Sequence, residues 1–223
     1  MDVLVTGGDT ELGRAIAHGF HDAGHTVTLA GSHGPELEVS AKELDAQAVI
    51  CDTTDPDSMA QARGLFPHHL DTIVNVPAPR WQGGDPRGYT MTEQAKAWRS
   101  AFDTTMVSAV LTIATVGDHL RSGGSIISVL PDNPLPGSAD AAVKAALADW
   151  TAGQASVFGT RGITVNVVAA GAAASPGYDG MTRLPTDANT EIARVATFLT
   201  SPSARHITGQ TLHVGHGALA SFG

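Results

Sequence analysis

The sequence predicts an α/β fold in which helices cover both faces of a doubly wound, seven-stranded parallel sheet. Short runs rich in β-branched residues alternate with longer alanine-rich stretches along the 223 residues, which is the order of a strand–helix–strand fold. The β-branched runs are continuously apolar, as expected for strands that are buried on both faces. No repeat, low-complexity tract or linker divides the chain, so we expect one domain over residues 1–223.

Seven segments have the composition of strands, and they lie at residues 2–6, 26–30, 48–51, 72–76, 125–129, 163–168 and 211–214. Six stretches between them favour helices, at residues 12–23, 36–44, 56–65, 92–121, 139–158 and 189–200. In a doubly wound sheet, ligands bind beyond the carboxyl ends of the strands. Functional residues are therefore expected directly after the strands, and the long loops 77–88 and 171–185 are expected to take part.

The composition argues against several classes of function. The formal net charge of −9 and the scattered Lys and Arg residues disfavour nucleic acid, which needs a basic surface. No run approaches the roughly 18 apolar residues of a membrane span, and no signal-peptide pattern is present. Cys51 is the single cysteine, so an internal disulfide is impossible and a reducing cytoplasm is the expected compartment. His213 and His216 lack a third ligand nearby in the sequence, so no metal site is expected.

Two short segments carry possible chemistry. In TGGDTELGRAIA, Gly7 and Gly13 frame a strand-to-helix turn whose helix N-terminus suits a pyrophosphate, and a plain tight turn is the alternative. In SADAAVKAAL, Asp140 and Lys144 are four residues apart on one face of a helix. That pair is either part of a catalytic site or an ion pair on a solvated helix.

Four further motifs follow in order along the chain: CDTTD at 51–55, DTIVNVPAP at 71–79, RGITVN within 144–171, and ITGQTLHV within 198–217. With these motifs, essentially the whole chain resembles the short-chain dehydrogenase/reductase family, in the branch of the 3-oxoacyl-carrier-protein reductases. The resemblance implies a single-domain Rossmann fold that binds NAD or NADP. It also implies a homo-oligomer, usually a tetramer.

The resemblance implies roles for individual residues around the cofactor. Asp52 matches an aspartate that meets the adenine, and a helix cap or a loop charge is the alternative. Asn75 matches the asparagine within the fourth strand, and Lys144 matches the lysine of the catalytic helix. Ser175 falls at the threonine that the family places near the nicotinamide carboxamide.

The choice between NAD and NADP depends on the residues after the second strand, where His33 lies. No acidic residue follows that strand to bind a ribose 2′-hydroxyl, which favours NADP. The arginine that a 2′-phosphate prefers is missing as well. Arg14 is either a second phosphate partner or a solvated helix residue.

Several positions depart from the pattern of the family. Glu11 replaces the middle glycine of the first turn, where a side chain intrudes on the dinucleotide and a carboxylate repels its phosphates. Thr105 stands at the position of the family's helical asparagine, Pro131 at that of its serine and Asp140 at that of its tyrosine. An ionised aspartate has no proton to give to a developing alkoxide.

Four other residues are candidates for the missing roles. Ser128 and Ser138 are alternative equivalents of the catalytic serine. Tyr89 and Tyr178 are the only tyrosines, and each either reaches the cleft or packs its ring within a loop.

Two hypotheses about function follow. In the first, the chain has lost the catalytic tyrosine, serine and asparagine, is weakly active or inactive, and acts through assembly, including with an active paralogue. In the second, it is an active NAD(P)(H)-dependent oxidoreductase of carbonyl or alcohol substrates with an atypical proton donor. Loss of the proton donor alone costs roughly 10²–10⁴-fold in rate, which favours the first hypothesis.

Overall fold

The structure, a computed structural model, describes residues 1–78, 85–130, 134, 137–170 and 188–215. Within these residues one sheet contains seven strands: β1 (Asp2–Val5), β2 (Thr26–Gly31), β3 (Gln47–Ile50), β4 (Leu70–Asn75), β5 (Leu120–Leu130), β6 (Thr164–Ala170) and β7 (Thr211–Val214). The strands are parallel and run in the order β3-β2-β1-β4-β5-β6-β7. The predicted doubly wound sheet is confirmed.

The described residues also form seven α-helices: α1 (Glu11–Asp22), α2 (Gly34–Glu43), α3 (Pro56–Ala62), α4 (Met91–Phe102), α5 (Ser108–Val116), α6 (Ala139–Gly159) and α7 (Ala188–Leu199). Short 3₁₀ turns lie at 63–65, 86–88, 117–119 and 202–204. A π-helical turn, Asp103–Val107, joins α4 to α5. Each predicted helix has a counterpart.

The region predicted as one helix over residues 92–121 is more divided than expected. The π-helical turn separates α4 from α5, and the chain is already in β5 at Leu120. The prediction was wrong at this end because β5 begins with a separate pairing of Leu120 with Leu70. The register then shifts near Gly123, whose φ of +80° bends the strand where other residues would be strained.

The first strand illustrates why both faces of the sheet are apolar. Successive side chains point to opposite faces, so Val3 and Val5 join the core on one face and Leu4 joins the core on the other. Helices α1, α2 and α7 cover the first face, and α3 and α5 cover the second. Phe20 of α1 is fully buried on the first face, and burial of a side chain of this kind contributes about 2–3 kcal/mol.

Among the described residues, the helical run Met91–His119 is long and apolar enough to cross a membrane by length and composition, with a mean hydropathy of 1.3. This corrects the expectation that no run approaches a membrane span. Within its most apolar window, 56% of the run is buried in the fold. Val116, near its end, belongs to the core beneath the sheet, as in the core helix of a globular domain.

Candidate functional site

The strand order reverses between β1 and β4, which is where ligands bind in doubly wound sheets. We call the described residues that follow β1, β2 and β3 the first half of the cleft. The described residues that end or follow β4 and β5, with the π-helical turn and the start of α6, form the second half. Thr6 and Val76 tie the two halves together. The Thr6 hydroxyl donates to the Val76 carbonyl oxygen at 3.1 Å and accepts from the Val76 N–H at 2.9 Å.

The two glycines of the first turn are packed against the protein's own backbone. Gly7 has a φ of +60°, and a Cβ added there would lie 3.1 Å from the Val76 carbonyl oxygen. A Cβ on Gly13 would lie only 2.0 Å from the Gly7 carbonyl oxygen. Thr10 caps α1, because its Oγ1 accepts from the Gly13 N–H at 3.0 Å and donates to the Gly7 carbonyl oxygen at 2.7 Å. The turn therefore needs both glycines whether or not a ligand binds.

The N-terminus of α1 has the geometry of an anion-binding site, but a negatively charged side chain lies beside it. Within the described part of the chain, the N–H groups of Glu11 and Leu12 make no hydrogen bond, so they are available to a phosphate. Glu11 itself is exposed and puts a carboxylate in the first turn of the helix. Arg14 Nη1 lies 3.5 Å from the Asp9 carbonyl oxygen, which is too long for a strong hydrogen bond.

Asp9 is a functional candidate that the sequence patterns did not indicate. Its side chain is 1% exposed, and its Oδ2 accepts hydrogen bonds from the N–H groups of Ser32 at 3.1 Å and His33 at 2.9 Å. No acidic residue directly follows β2 in the sequence, as expected, but the structure brings the carboxylate of Asp9 to this place from the first turn. In the sequence, the glycine that ends β2 is consistent with this close approach, since a Cβ at Gly31 would lie 2.6 Å from Asp9 Oδ1.

Asp52 lies exposed directly after β3. Its Oδ1 accepts hydrogen bonds from the N–H of Thr54 at 2.8 Å and from the Thr54 hydroxyl at 2.7 Å, which orders the loop as an Asx turn. The neighbouring Cys51 is buried. Burial, followed by the negative charges of Asp52 and Asp9, raises the pKa of the Cys51 thiol to about 11. The thiol is thus protonated near neutral pH, and the first half of the cleft is acidic.

In the second half of the cleft, Asn75 ends β4 and is paired in register with Ser128 of β5. Both residues are buried, and Asn75 Nδ2 donates to Ser128 Oγ over a long 3.4 Å. Asn75 Oδ1 is buried without a hydrogen-bond partner among the described residues. Ser128 therefore lies within the sheet, in contact with Asn75, at the edge where the predicted site begins.

Thr105 lies in the π-helical turn between α4 and α5. Such turns occur frequently at functional sites. Its hydroxyl oxygen is buried and has no hydrogen-bond partner within the described ranges. The adjacent Thr104 accepts a hydrogen bond from the Ala78 N–H at 3.1 Å, which holds the start of the β4 loop against this turn. The position matched to the family's asparagine is thus polar, buried and unsatisfied.

The start of α6 carries the remaining described candidates. Ser138 is the N-cap, and its Oγ accepts from the Ala141 N–H at 3.2 Å. Asp140 and Lys144 follow, one turn apart on the same face, and both are partly buried. Burial and the nearby ammonium of Lys144 lower the pKa of His213 in β7 below its ordinary value. Lys144 is therefore close enough to β7 for its charge to act on His213.

Several predicted residues lie outside the described residues, namely Pro131, Ser175, Tyr178 and His216. Tyr89 is described and is partly buried just before Thr90, the N-cap of α4. Among the described residues, no group of three or more His, Cys, Asp or Glu side chains is arranged to hold a metal ion.

Comparison with known proteins finds relatives that match nearly the whole chain. A family model described as enoyl-(acyl carrier protein) reductase matches residues 9–218. A Mycobacterium tuberculosis protein, whose name gives oxidoreductase as a provisional function, is 64% identical over 223 residues and covers 100% of both chains. The 3-oxoacyl-[acyl-carrier-protein] reductase of Staphylococcus aureus is 29% identical, with 96% of each chain covered.

A solved structure has the same architecture. It is a 3-oxoacyl-[acyl-carrier protein] reductase with bound NAD from Brucella melitensis, and it superposes with a TM-score of 0.77 at 26% identity. The match covers 96% of this chain and 89% of that one.

Proposed function

Because this chain belongs to the short-chain dehydrogenase/reductase family, we propose that it keeps the family's dinucleotide fold while its carbonyl–alcohol chemistry is weak or lost. The observation that carries this proposal is Asp140, which lies in the first turn of α6, one turn before Lys144. In the family the equivalent residue is a tyrosine that donates a proton. The proposal therefore depends on the absence of a proton donor at position 140.

Reduction of a carbonyl requires a proton on oxygen at the moment that a hydride reaches carbon, and a bound nicotinamide dinucleotide would supply that hydride. A carboxylate accepts hydrogen bonds and has no proton to donate. A carboxylate is also favourable in the first turn of a helix, where the helix dipole is positive. Asp140 is thus suited to stabilising α6 and poorly suited to protonating an alkoxide, and loss of a general acid costs roughly 10²–10⁴-fold.

The residues around the cleft fit a dinucleotide in shape and oppose it in charge. The free N–H groups at the start of α1 would hold the pyrophosphate, and the Asp52 loop and Lys144 would lie near the adenine and the nicotinamide ribose. Glu11 stands beside the same N–H groups. NAD or NADP binding is therefore expected to be weak.

An exposed apolar surface supports the proposal that the protein works as an assembly. Met91 is 88% exposed, and Trp98 and Phe102 on the same helix are also exposed. Helix α6, which packs against α4, is rich in small residues that permit close approach of another helix. We propose a cytoplasmic homo-oligomer, a tetramer as in the family, and a role as the partner subunit of an active paralogue.

The test is the rate of NADH and NADPH oxidation with acetoacetyl thioesters and small ketones. The Staphylococcus aureus reductase serves as the active reference. We expect the wild type to be at least about 10²-fold slower than this reference, because the proton donor is missing. Asp140→Tyr is expected to raise the rate at least tenfold, whereas Asp149→Tyr, at an exposed position of the same helix, leaves it unchanged.

A wild-type rate equal to that of the reference would overturn the proposal. The chain would then be an active oxidoreductase with an atypical proton donor, and Ser138 and Tyr89 would be the first described residues to substitute.

A further inference from the structure

The loop after β2 contains an anion site that the protein fills with its own carboxylate. Asp9 Oδ2 accepts hydrogen bonds from the N–H groups of Ser32 and His33, at 3.1 and 2.9 Å, and lies 3.1 Å from His33 Nδ1. These donors lie at the N-terminus of α2, a helix of ten residues whose N-cap is His33. His33 makes no side-chain capping bond, so Asp9 supplies from another loop the negative charge that the helix end attracts.

The surrounding residues are shaped for this carboxylate. The Asp9 side chain is buried, and Gly31 forms the floor beneath it, where a Cβ would lie 2.6 Å from Oδ1 and 3.0 Å from Oδ2. Oδ1 is itself buried and has no hydrogen-bond partner in the part of the chain that the structure describes. The carboxylate therefore uses the donors of the loop and keeps one unused acceptor.

We infer that Asp9 makes this protein select a dinucleotide with a free ribose 2′-hydroxyl over one that carries a 2′-phosphate. The inference rests on the proposed function only in that a nicotinamide dinucleotide binds across the first turn. In doubly wound folds the adenosine ribose lies at the end of the second strand, where acids accept from a 2′-hydroxyl and arginine accommodates a 2′-phosphate. Here the acid reaches that place from the first turn.

Two physical effects produce the selection. A 2′-phosphate carries a charge of about −1.5 to −2 near neutral pH and needs hydrogen-bond donors, but the N–H groups of Ser32 and His33 are already bonded to Asp9. A hydroxyl is a donor as well as an acceptor. A 2′-hydroxyl can therefore donate to the Asp9 carboxylate, whereas an ionised phosphate has no proton to donate to it. This inference is the opposite of the preference for NADP that the residues after the second strand favoured in the sequence.

The charge of Asp9 also reaches the loop after β3. It is one of the causes, after burial and Asp52, that raise the pKa of the Cys51 thiol. A phosphate placed between these loops would meet the carboxylates of both Asp9 and Asp52. The His33 ring, whose Nδ1 lies 3.1 Å from Asp9 Oδ2, is 59% exposed, and Arg14 Nη1 lies 3.5 Å from the Asp9 carbonyl oxygen.

The experiment measures binding rather than turnover. NADH and NADPH affinities are determined by fluorescence titration, and AMP and adenosine 2′,5′-bisphosphate affinities by calorimetry, for the wild type and for Glu11→Gly. We expect NADH to bind at least tenfold more tightly than NADPH. Asp9→Ser is expected to remove that preference by raising NADPH affinity tenfold or more. Asp22→Asn, at the other end of α1, removes the same charge and is expected to leave the ratio unchanged within twofold.

His33→Arg keeps the hydrogen bonds from the backbone to Asp9 and is expected to reduce the ratio of NADH affinity to NADPH affinity. It provides a second test if Asp9→Ser does not fold. Equal affinities in the wild type, a preference for NADPH, or an unchanged ratio in Asp9→Ser would overturn the inference. Absence of binding by either dinucleotide in both backgrounds would overturn it too. None of these results depends on catalytic rate, so they are separable from failure of the proposed function.

Discussion

The two halves of the cleft have diverged in different ways. In the first half, polar groups bind one another, as Asp9 binds the loop at His33 and Asp52 binds Thr54. In the second half, the buried oxygens Asn75 Oδ1 and Thr105 Oγ1 have no partner among the described residues, whereas in the first half this holds only for the second carboxylate oxygen of Asp9, Oδ1. Buried polar atoms without partners are costly, and a bound water molecule or ligand satisfies them. The second half of the cleft therefore keeps buried polar groups, rather than apolar side chains, at these two positions.

The first turn shows which residues of the glycine motif the fold itself requires. Its retained glycines, Gly7 and Gly13, are those that the turn needs for its own packing. Glu11, which the resemblance matches to the family's middle glycine, is exposed at the N-terminus of α1. Packing of the turn alone can therefore require the two glycines of such a motif, so their presence does not by itself indicate that a ligand binds.

The largest expected effect tests whether Gly13 serves the protein or a ligand. Gly13→Ala places a Cβ 2.0 Å from the Gly7 carbonyl oxygen, and relief requires the backbone of the turn to move. We expect a loss of about 3 kcal/mol or more in the free energy of unfolding without any dinucleotide present. Denaturant unfolding of the apoprotein measures it.

Gly153→Ala is the matched control for Gly13→Ala, because no atom lies within 4 Å of a Cβ at Gly153 in α6. It is expected to stabilise the protein by about 0.5–1 kcal/mol through helix propensity. If Gly13→Ala were as stable as the wild type and lost only dinucleotide affinity, the glycine would serve the ligand rather than the packing of the turn.

The second prediction measures the acidity of the first half through Cys51. Its thiol has a pKa of about 11 in the folded protein against 9.0 for an unperturbed thiol, so the folded state holds its proton to higher pH than the unfolded chain. The stability from this difference is fully present below pH 9 and is lost as the pH rises through 11. We expect the loss to be about 2 kcal/mol.

Unfolding of the wild type and of Cys51→Ala, measured between pH 8 and about pH 11, isolates this contribution from other groups that titrate in the same range. The difference between the two proteins is expected to shrink steadily above pH 9. A difference that stays constant would show that burial and the carboxylates of Asp52 and Asp9 do not hold the proton on the thiol as described.

The sequence was sufficient for the sheet because its strands are continuous apolar segments, and burial on both faces leaves few alternatives. It was insufficient for Asp9, whose partners Ser32 and His33 are more than twenty residues away in the chain and meet it only after β1 pairs with β2. The boundary at Leu120 was missed for the same reason, since its pairing with Leu70 is a tertiary contact. Long-range polar contacts leave no periodic pattern to recognise.

The smallest predicted effect concerns the ligand-facing position of the first turn. Glu11→Gly removes both a side chain and a negative charge beside the free N–H groups of α1, where a pyrophosphate would lie. A charge pair about 4 Å apart at an effective dielectric near 20 is worth on the order of 4 kcal/mol before screening. One third of that value corresponds to about a tenfold gain in NAD(H) affinity, and glycine in the helix costs at most about 1 kcal/mol of stability.

Calorimetric titration of both proteins with NADH measures the change, and Asp22→Gly, which removes the same charge from the far end of α1, should leave affinity unchanged. Tight binding by the wild type, unaffected by Glu11→Gly, would mean that the glutamate points away from the phosphates. The first half would then be a working dinucleotide site, and the contrast between the halves would be confined to the missing proton donor at Asp140.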